Sequence, residues 1–166
     1  NIELEQVKLH GPVCALHMVS EDLGLKDFLG KNAQEILTLV YSHLLRPESL
    51  NNIKRAIQWI DAEEIGLKLP VSRKRLEKAM DTLEPEIHSI ERSLYEKIKS
   101  VCDLNTIFYD ITDIYFFGKR MIMAKRGHGS NLPQIGIGLA AEAQYGIPLF
   151  HHIFDGNVYD SKTFPV

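Results

Sequence analysis

The hydrophobic period of this chain changes near residue 104, and one kind of secondary structure cannot satisfy both periods. Before the change, apolar residues recur every three to four positions, the spacing that lines one face of a helix. Within 33–45, Ile36, Leu37, Val40, Tyr41, Leu44 and Leu45 fall on such a stripe, and Pro47 ends it. Ser49 with Asn51 or Asn52 predicts the cap of a short helix through Ile53, Ile57 and Ile60. Ser72 predicts the start of another, in which Leu76, Met80 and Leu83 repeat before Pro85. From 86 to 101 the stripe continues as Ile87, Ile90, Leu94, Ile98 and Val101, with charges on the other face. All these apolar positions are expected to lie in the core.

After Asn105 the period falls to two. Residues 106–112 are β-branched and aromatic, a strand by composition and length. Residues 135–141 alternate large with small, as a strand with one closely approached face does. The run 144–148 predicts a turn, 149–154 a third strand, and Gly156-Asn157 its end, with Asp160 or Ser161 capping a helix that barely starts. The expected organisation is therefore α/β of the α+β kind, with a helical domain over 1–104 and a strand-bearing domain over 105–166.

With 45% hydrophobic and 25% charged residues in 166, the chain has the balance of a soluble globular protein. That excludes a disordered tail, a collagen-like fibre and a disulfide scaffold. Cys14 and Cys102 lie far apart and form no CxxC pair, so a cysteine-built zinc site is excluded. They read as buried, reduced thiols of a cytoplasmic protein, with no base signalled beside either. No apolar run approaches the roughly 20 residues that cross a bilayer, and the acidic opening is unlike a signal peptide. No membrane partner is expected. A first residue other than Met and a last segment without cap or tail composition predict that both ends are cut from something longer.

The net charge of −3 argues against a protein that coats nucleic acid. Between 114 and 141, however, four cations (Lys119, Arg120, Lys125 and Arg126) occur with no carboxylate among them. Such a loop is either solvated or able to touch phosphates. Asp110 stands out by its surroundings. It shares a strand face with Phe108 and Thr112 by the period-two rule, where a carboxylate is costly unless it is paired or binds a cation. A hard divalent ion such as Mg²⁺ takes one or two carboxylates from a protein; the other reading is an edge-strand Asp pointing to water. His151 and His152 point to opposite faces and cannot readily share one ion. His128 reads as a solvated loop residue or a phosphate contact. The run from Gly136 to Gly138 lacks the third glycine and helix of a dinucleotide fingerprint.

Tyr109-Asp110-Ile111-Thr112, followed by Tyr115-Phe116, resembles the start of the catalytic domain of DDE-type insertion-sequence transposases of the IS-four superfamily. Residues 132–140 look like that family's second strand, and Gly146-Ile147-Pro148, Gly156-Asn157 and 160–164 like its hairpin and first helix cap. Gly11-Pro12 and the run from Leu45 through Pro47 to Ser49 extend the similarity into the helical half. The resemblance implies the first three strands of an incomplete RNase H-like domain, with Asp110 as the first catalytic aspartate and a metal ligand. The family's Asp, Asp and Glu hold two Mg²⁺ ions and cut and join DNA at transposon ends. Here the chain ends before the second Asp and the Glu, and Asp113, Asp155 and Asp160 do not match them. The loop at 127–131 is shorter than the family's Ser-Lys-Asp stretch. The expectation is a fragment that does not cleave DNA alone, contacts DNA through Lys119, Arg120, Lys125 and Arg126, and associates as a homo-oligomer through an unpaired strand edge. The alternative is a non-catalytic module for DNA binding or oligomerisation.

Overall fold

The computed structural model describes residues 8–61, 66, 71–118, 121–127, 131–158 and 163. The chain divides into two compact units, Asn1–Ile90 and Glu91–Val166. In the first unit lie α1 (His10–Leu23), α2 (Leu25–Leu29), α3 (Ala33–Leu45), α4 (Ile53–Gln58) and α5 (Arg73–Leu83), while α6 (Ile87–Lys99) crosses the division. The chain turns from α1 into α2 at Gly24, whose left-handed backbone (φ 67) lets its N–H reach the Glu21 carbonyl at 2.9 Å. Ser72 caps α5 as its sequence predicts, its hydroxyl accepting from the Arg75 N–H at 3.3 Å.

Two apolar clusters hold this unit. Val13, Leu37, Tyr41 and Ile60 form one; Ile53, Ala56, Ile57, Val71 and Leu76 form the other. Of the buried polar groups here, Ser20, Tyr41 and Glu35 are paired, whereas the Ser42 hydroxyl finds no hydrogen-bond partner among the described residues. The Ser20 hydroxyl donates to the Leu16 carbonyl at 2.7 Å, so the buried Tyr41 hydroxyl must be the donor in its contact with Ser20. Glu35 of α3, buried to 6% exposure, is ion-paired with Arg75 of α5.

Several positions expected in the core are not there. Val40, Leu44 and Met80 are exposed at 41%, 61% and 38%. In α6 none of the apolar residues is buried: Ile87, Ile90, Leu94 and Ile98 are half-buried, and Val101 beyond it is exposed. Apolar spacing marks a helix face that can be covered, but not whether another element lies against it.

In the second unit β1 (Ile107–Tyr115), β2 (Lys125–Arg126), β3 (Pro133–Glu142) and β4 (Pro148–Asp155) form one antiparallel sheet. β3 is central, with β1 on one side and β2 and β4 on the other. The three strands expected from sequence are β1, β3 and β4. Gly136 and Gly138 are buried on β3, as the alternation of large and small residues predicts. A Cβ at Gly138 would stand 2.8 Å from Cζ of Tyr109 and 3.0 Å from Cε2 of Phe154, so glycine is what lets the two rings close over the strand. The Tyr109 hydroxyl then donates to the Thr163 carbonyl at 3.3 Å. The β3–β4 turn is built around Glu142, 1% exposed. Its carboxylate accepts from the N–H groups of Gln144 and of Tyr145, the latter at 2.8 Å, and Gly146 supplies the positive φ of 68.

Gly138→Ala is expected to destabilise the second unit by about 1–3 kcal/mol, the usual cost of forcing a methyl into filled space. Gly136→Ala, whose Cβ finds its nearest neighbour at 3.6 Å, is expected to cost far less. Urea unfolding of the two variants beside the parent checks the order.

Candidate functional site

Asp110 lies at the middle of β1, opposite Leu139 of β3, which in turn lies opposite His151 of β4. Strand alternation puts Phe108, Asp110, Thr112, Leu139 and His151 on one face, with Tyr109, Gly138 and His152 on the other. The expected sharing of a face by Phe108, Asp110 and Thr112 is what the register gives. The expected cost of a charge there is not. Among the described residues β1 pairs only with β3, and Asp110 is exposed. Water solvates the carboxylate, which makes no hydrogen bond or ion pair with any described residue. The other reading of the sequence, an edge-strand Asp pointing to water, is the one the described residues give.

His151 is the best-fixed side chain on that face. Residues 136, 138, 140 and 142 of β3 direct their backbone groups toward β4, so the N–H of His151 points to β4's outer edge. There Glu91 of α6 accepts it at 2.9 Å, and the same carboxylate oxygen lies 2.5 Å from the His151 Nδ1. A carboxylate only accepts, so Nδ1 carries a hydrogen, and in the neutral ring the lone pair lies on Nε2. His152, on the other face, lies against the Phe154 ring at 4.5 Å between centroids. The two histidines therefore diverge, as alternation predicts.

Of the basic residues, Lys125 and Arg126 form β2 opposite Gln134 and Pro133, and both are exposed. Pro133 shares its face with Leu139, so Arg126 stands on the Asp110 face and Lys125 on the other. From Pro133 to Leu139, at ~3.4 Å per residue, β3 runs about 20 Å, which separates Arg126 from Asp110. Lys119, Arg120, His128, Asp160 and Ser161 lie outside the described residues. Asp113 falls on the face opposite Asp110, and Asp155 opposite Ile135 near the far end of the sheet. Among the described residues no three His, Cys, Asp or Glu side chains are grouped as metal ligands. One exposed carboxylate does not fit a two-metal centre.

One chemical grouping was missed in the sequence. Cys14 is half-buried rather than buried, and a base does stand beside it: His10 Nε2 lies 3.6 Å from its sulfur. The signal was the i,i+4 spacing of the two residues within one helix.

The first unit also contains a cavity of about 230 Å³ bordered by His17, Lys26, Gln34 and Tyr41 among others. At its rim the hydrogen bond from Lys26 (2.6 Å), reinforced by the charges of Lys26 and His17, holds the Glu21 carboxyl below its ordinary range.

No protein family, curated protein or solved structure matches the chain.

The lowered Glu21 pKa sets the sign of a pH effect. A carboxyl with a depressed folded pKa contributes stability above its unfolded pKa and loses it as pH falls through the folded one. A carboxyl-detected NMR titration is expected to place the Glu21 midpoint below that of ordinary glutamates, and Lys26→Met to return it upward.

Proposed function

We propose that this chain is the leading part of a DDE-type transposase, in which a helical domain precedes the first strands of an RNase H-like domain. The observation that carries the reading is Asp110. Its carboxylate projects, exposed and without a partner among the described residues, from the first strand of an antiparallel sheet, which is where the resemblance requires an acid. The substrate class is the DNA phosphodiester. Within this chain, Asp110 is the first acid of the catalytic set, and Arg126 is the described cation on its face. Strand cutting and joining belong to the longer protein, which brings Mg²⁺ and the remaining acids. The rival reading is a non-catalytic DNA-binding module, and the isolation of Asp110 from other ligand side chains favours it.

Two further elements complete the proposal. Copies of the chain associate through β1, whose outer edge faces no strand among the described residues and carries Ile107, Phe108, Ile114 and Tyr115 exposed at 46–63%. The protein works in the cytoplasm; no helix of the described residues is long and apolar enough to cross a membrane.

The deciding test is the reading frame beyond the Val166 codon. A continuing frame that supplies an Asp on a following strand and a later Glu supports the transposase. A continuing frame without them overturns it. On the protein itself, fluorescence anisotropy is expected to show duplex binding that weakens steeply with salt. Arg126→Ala should lower the slope of log K against log salt by about 1, and Lys125→Ala by less, since Lys125 faces away from Asp110. Metal-dependent nicking is expected to be absent from the 166 residues alone.

A further inference from the structure

His10 and Asp61 are neighbours because the backbone makes them so. Leu9 and Ile60 form a parallel bridge, and the Leu9 N–H donates to the Trp59 carbonyl at 2.7 Å. The next residue along each segment is thereby brought alongside the other, and Asp61 Oδ2 lies 3.1 Å from His10 Nδ1. The carboxylate can only accept, so Nδ1 carries the hydrogen and Nε2 presents a lone pair. One helical turn onward along α1, Cys14 shares the face of His10, and its sulfur lies 3.6 Å from that lone pair. A thiol, an imidazole acceptor and a carboxylate that orients the imidazole stand in sequence, the order of a nucleophile, its base and the group that holds the base. The grouping is open to solvent: the His10 side chain is 59% exposed and that of Asp61 25%, with Cys14 half-buried between core and surface.

We propose that Cys14, His10 and Asp61 form an activated-thiol site whose electrophile is a small peroxide. His10 accepts the thiol proton at Nε2, and the thiolate sulfur attacks one peroxide oxygen. The S–O bond forms as the O–O bond breaks, and the leaving hydroxide takes the proton back from His10 to depart as water. Sulfur is oxidised to the sulfenic acid and the peroxide is reduced, so electrons and protons balance. A half-buried thiol admits so small an electrophile, and the reaction asks nothing of the protein beyond the thiolate and a returned proton. Cys14 is the reacting residue, His10 its base, and Asp61 a positioning residue. All three lie in the unit Asn1–Ile90, so the site stands or falls independently of the DNA reading.

The test treats the reduced 166-residue chain with hydrogen peroxide, traps sulfenic acid with dimedone and follows both cysteines by mass spectrometry. Cys102, also half-buried, is the internal reference. Cys14 is expected to be labelled about tenfold faster than Cys102. His10→Asn should bring it down to the Cys102 rate while leaving Cys102 unchanged. Asp61→Asn should slow it by a smaller factor and move the His10 ring toward the Nε2–H tautomer in ¹⁵N imidazole spectra, which a purely structural role for Asp61 would not do. Cys14 reacting no faster than Cys102 would overturn the proposal. So would a fast Cys14 that is indifferent to His10→Asn, since that is mere exposure. Should His10→Asn unfold, Asp61→Asn decides in its place: a Cys14 rate unchanged while the His10 tautomer shifts would overturn the proposal, and a slowed one supports it.

Discussion

Every described strand of the sheet pairs with β3, and at Gly138 the missing side chain lets two aromatic rings close over one face of it. Tyr109 and Phe154 occupy the space a side chain at Gly138 would need. The same contact fixes which way β1 faces. With Tyr109 directed onto the glycines, the alternate residues of β1 must point the other way, and Asp110 is among them. The place of the candidate acid is therefore a consequence of packing on the opposite face of the sheet. A one-residue slip of β1 would turn Asp110 onto the glycine face and leave Tyr109 in water.

Carboxylates perform the other constraining work in this structure, each by a different means. Glu142 organises a turn by accepting backbone N–H groups of the residues that follow it. Glu91 ties a helix to a strand edge and sets the tautomer of His151 through one oxygen atom. Glu35 sits buried against an arginine. Asp61 holds His10. Asp110 alone among these has no partner among the described residues, and that contrast, rather than any burial, is what singles it out. A charge that the fold does not use is free to meet something outside it.

Much of the fold could be read from residue spacing. The change of period near residue 104 separates helices from sheet, Ser72 marks the start of α5, and the alternation of small and large residues from 135 to 141 foretells a strand with one closely approached face. These features are local: a cap, a period and a missing side chain act within a few residues of themselves. What escaped the sequence depends on partners distant in the chain. The stripe of α6 is as regular as that of a core helix, yet it stays half-buried, because spacing carries no information on what packs against it. For Asp110 the sequence leaves open both a charge that needs a partner in an apolar strand and an edge-strand carboxylate in water, because nothing in its neighbours says which place β1 takes in the sheet. The pairing of His10 with Asp61 rests on a bridge between Leu9 and Ile60, some fifty residues apart, and no short-range pattern could announce it. Only the His10–Cys14 half of that grouping was within reach, as a spacing of four in a helix.

The two margins of the sheet are unequal. On the β4 side Glu91 already occupies the outward N–H of His151, and a further strand arriving there would have to displace an acid and the helix that carries it. The β1 side offers its backbone groups with no such stopper among the described residues. A sheet with one blocked margin and one open margin cannot grow by endless repetition. In the association proposed above, copies joined open side to open side would exhaust each other's free edge and close as a two-fold pair instead of lengthening into a filament. The contact between Glu91 and His151 would then act as a chain terminator for the sheet.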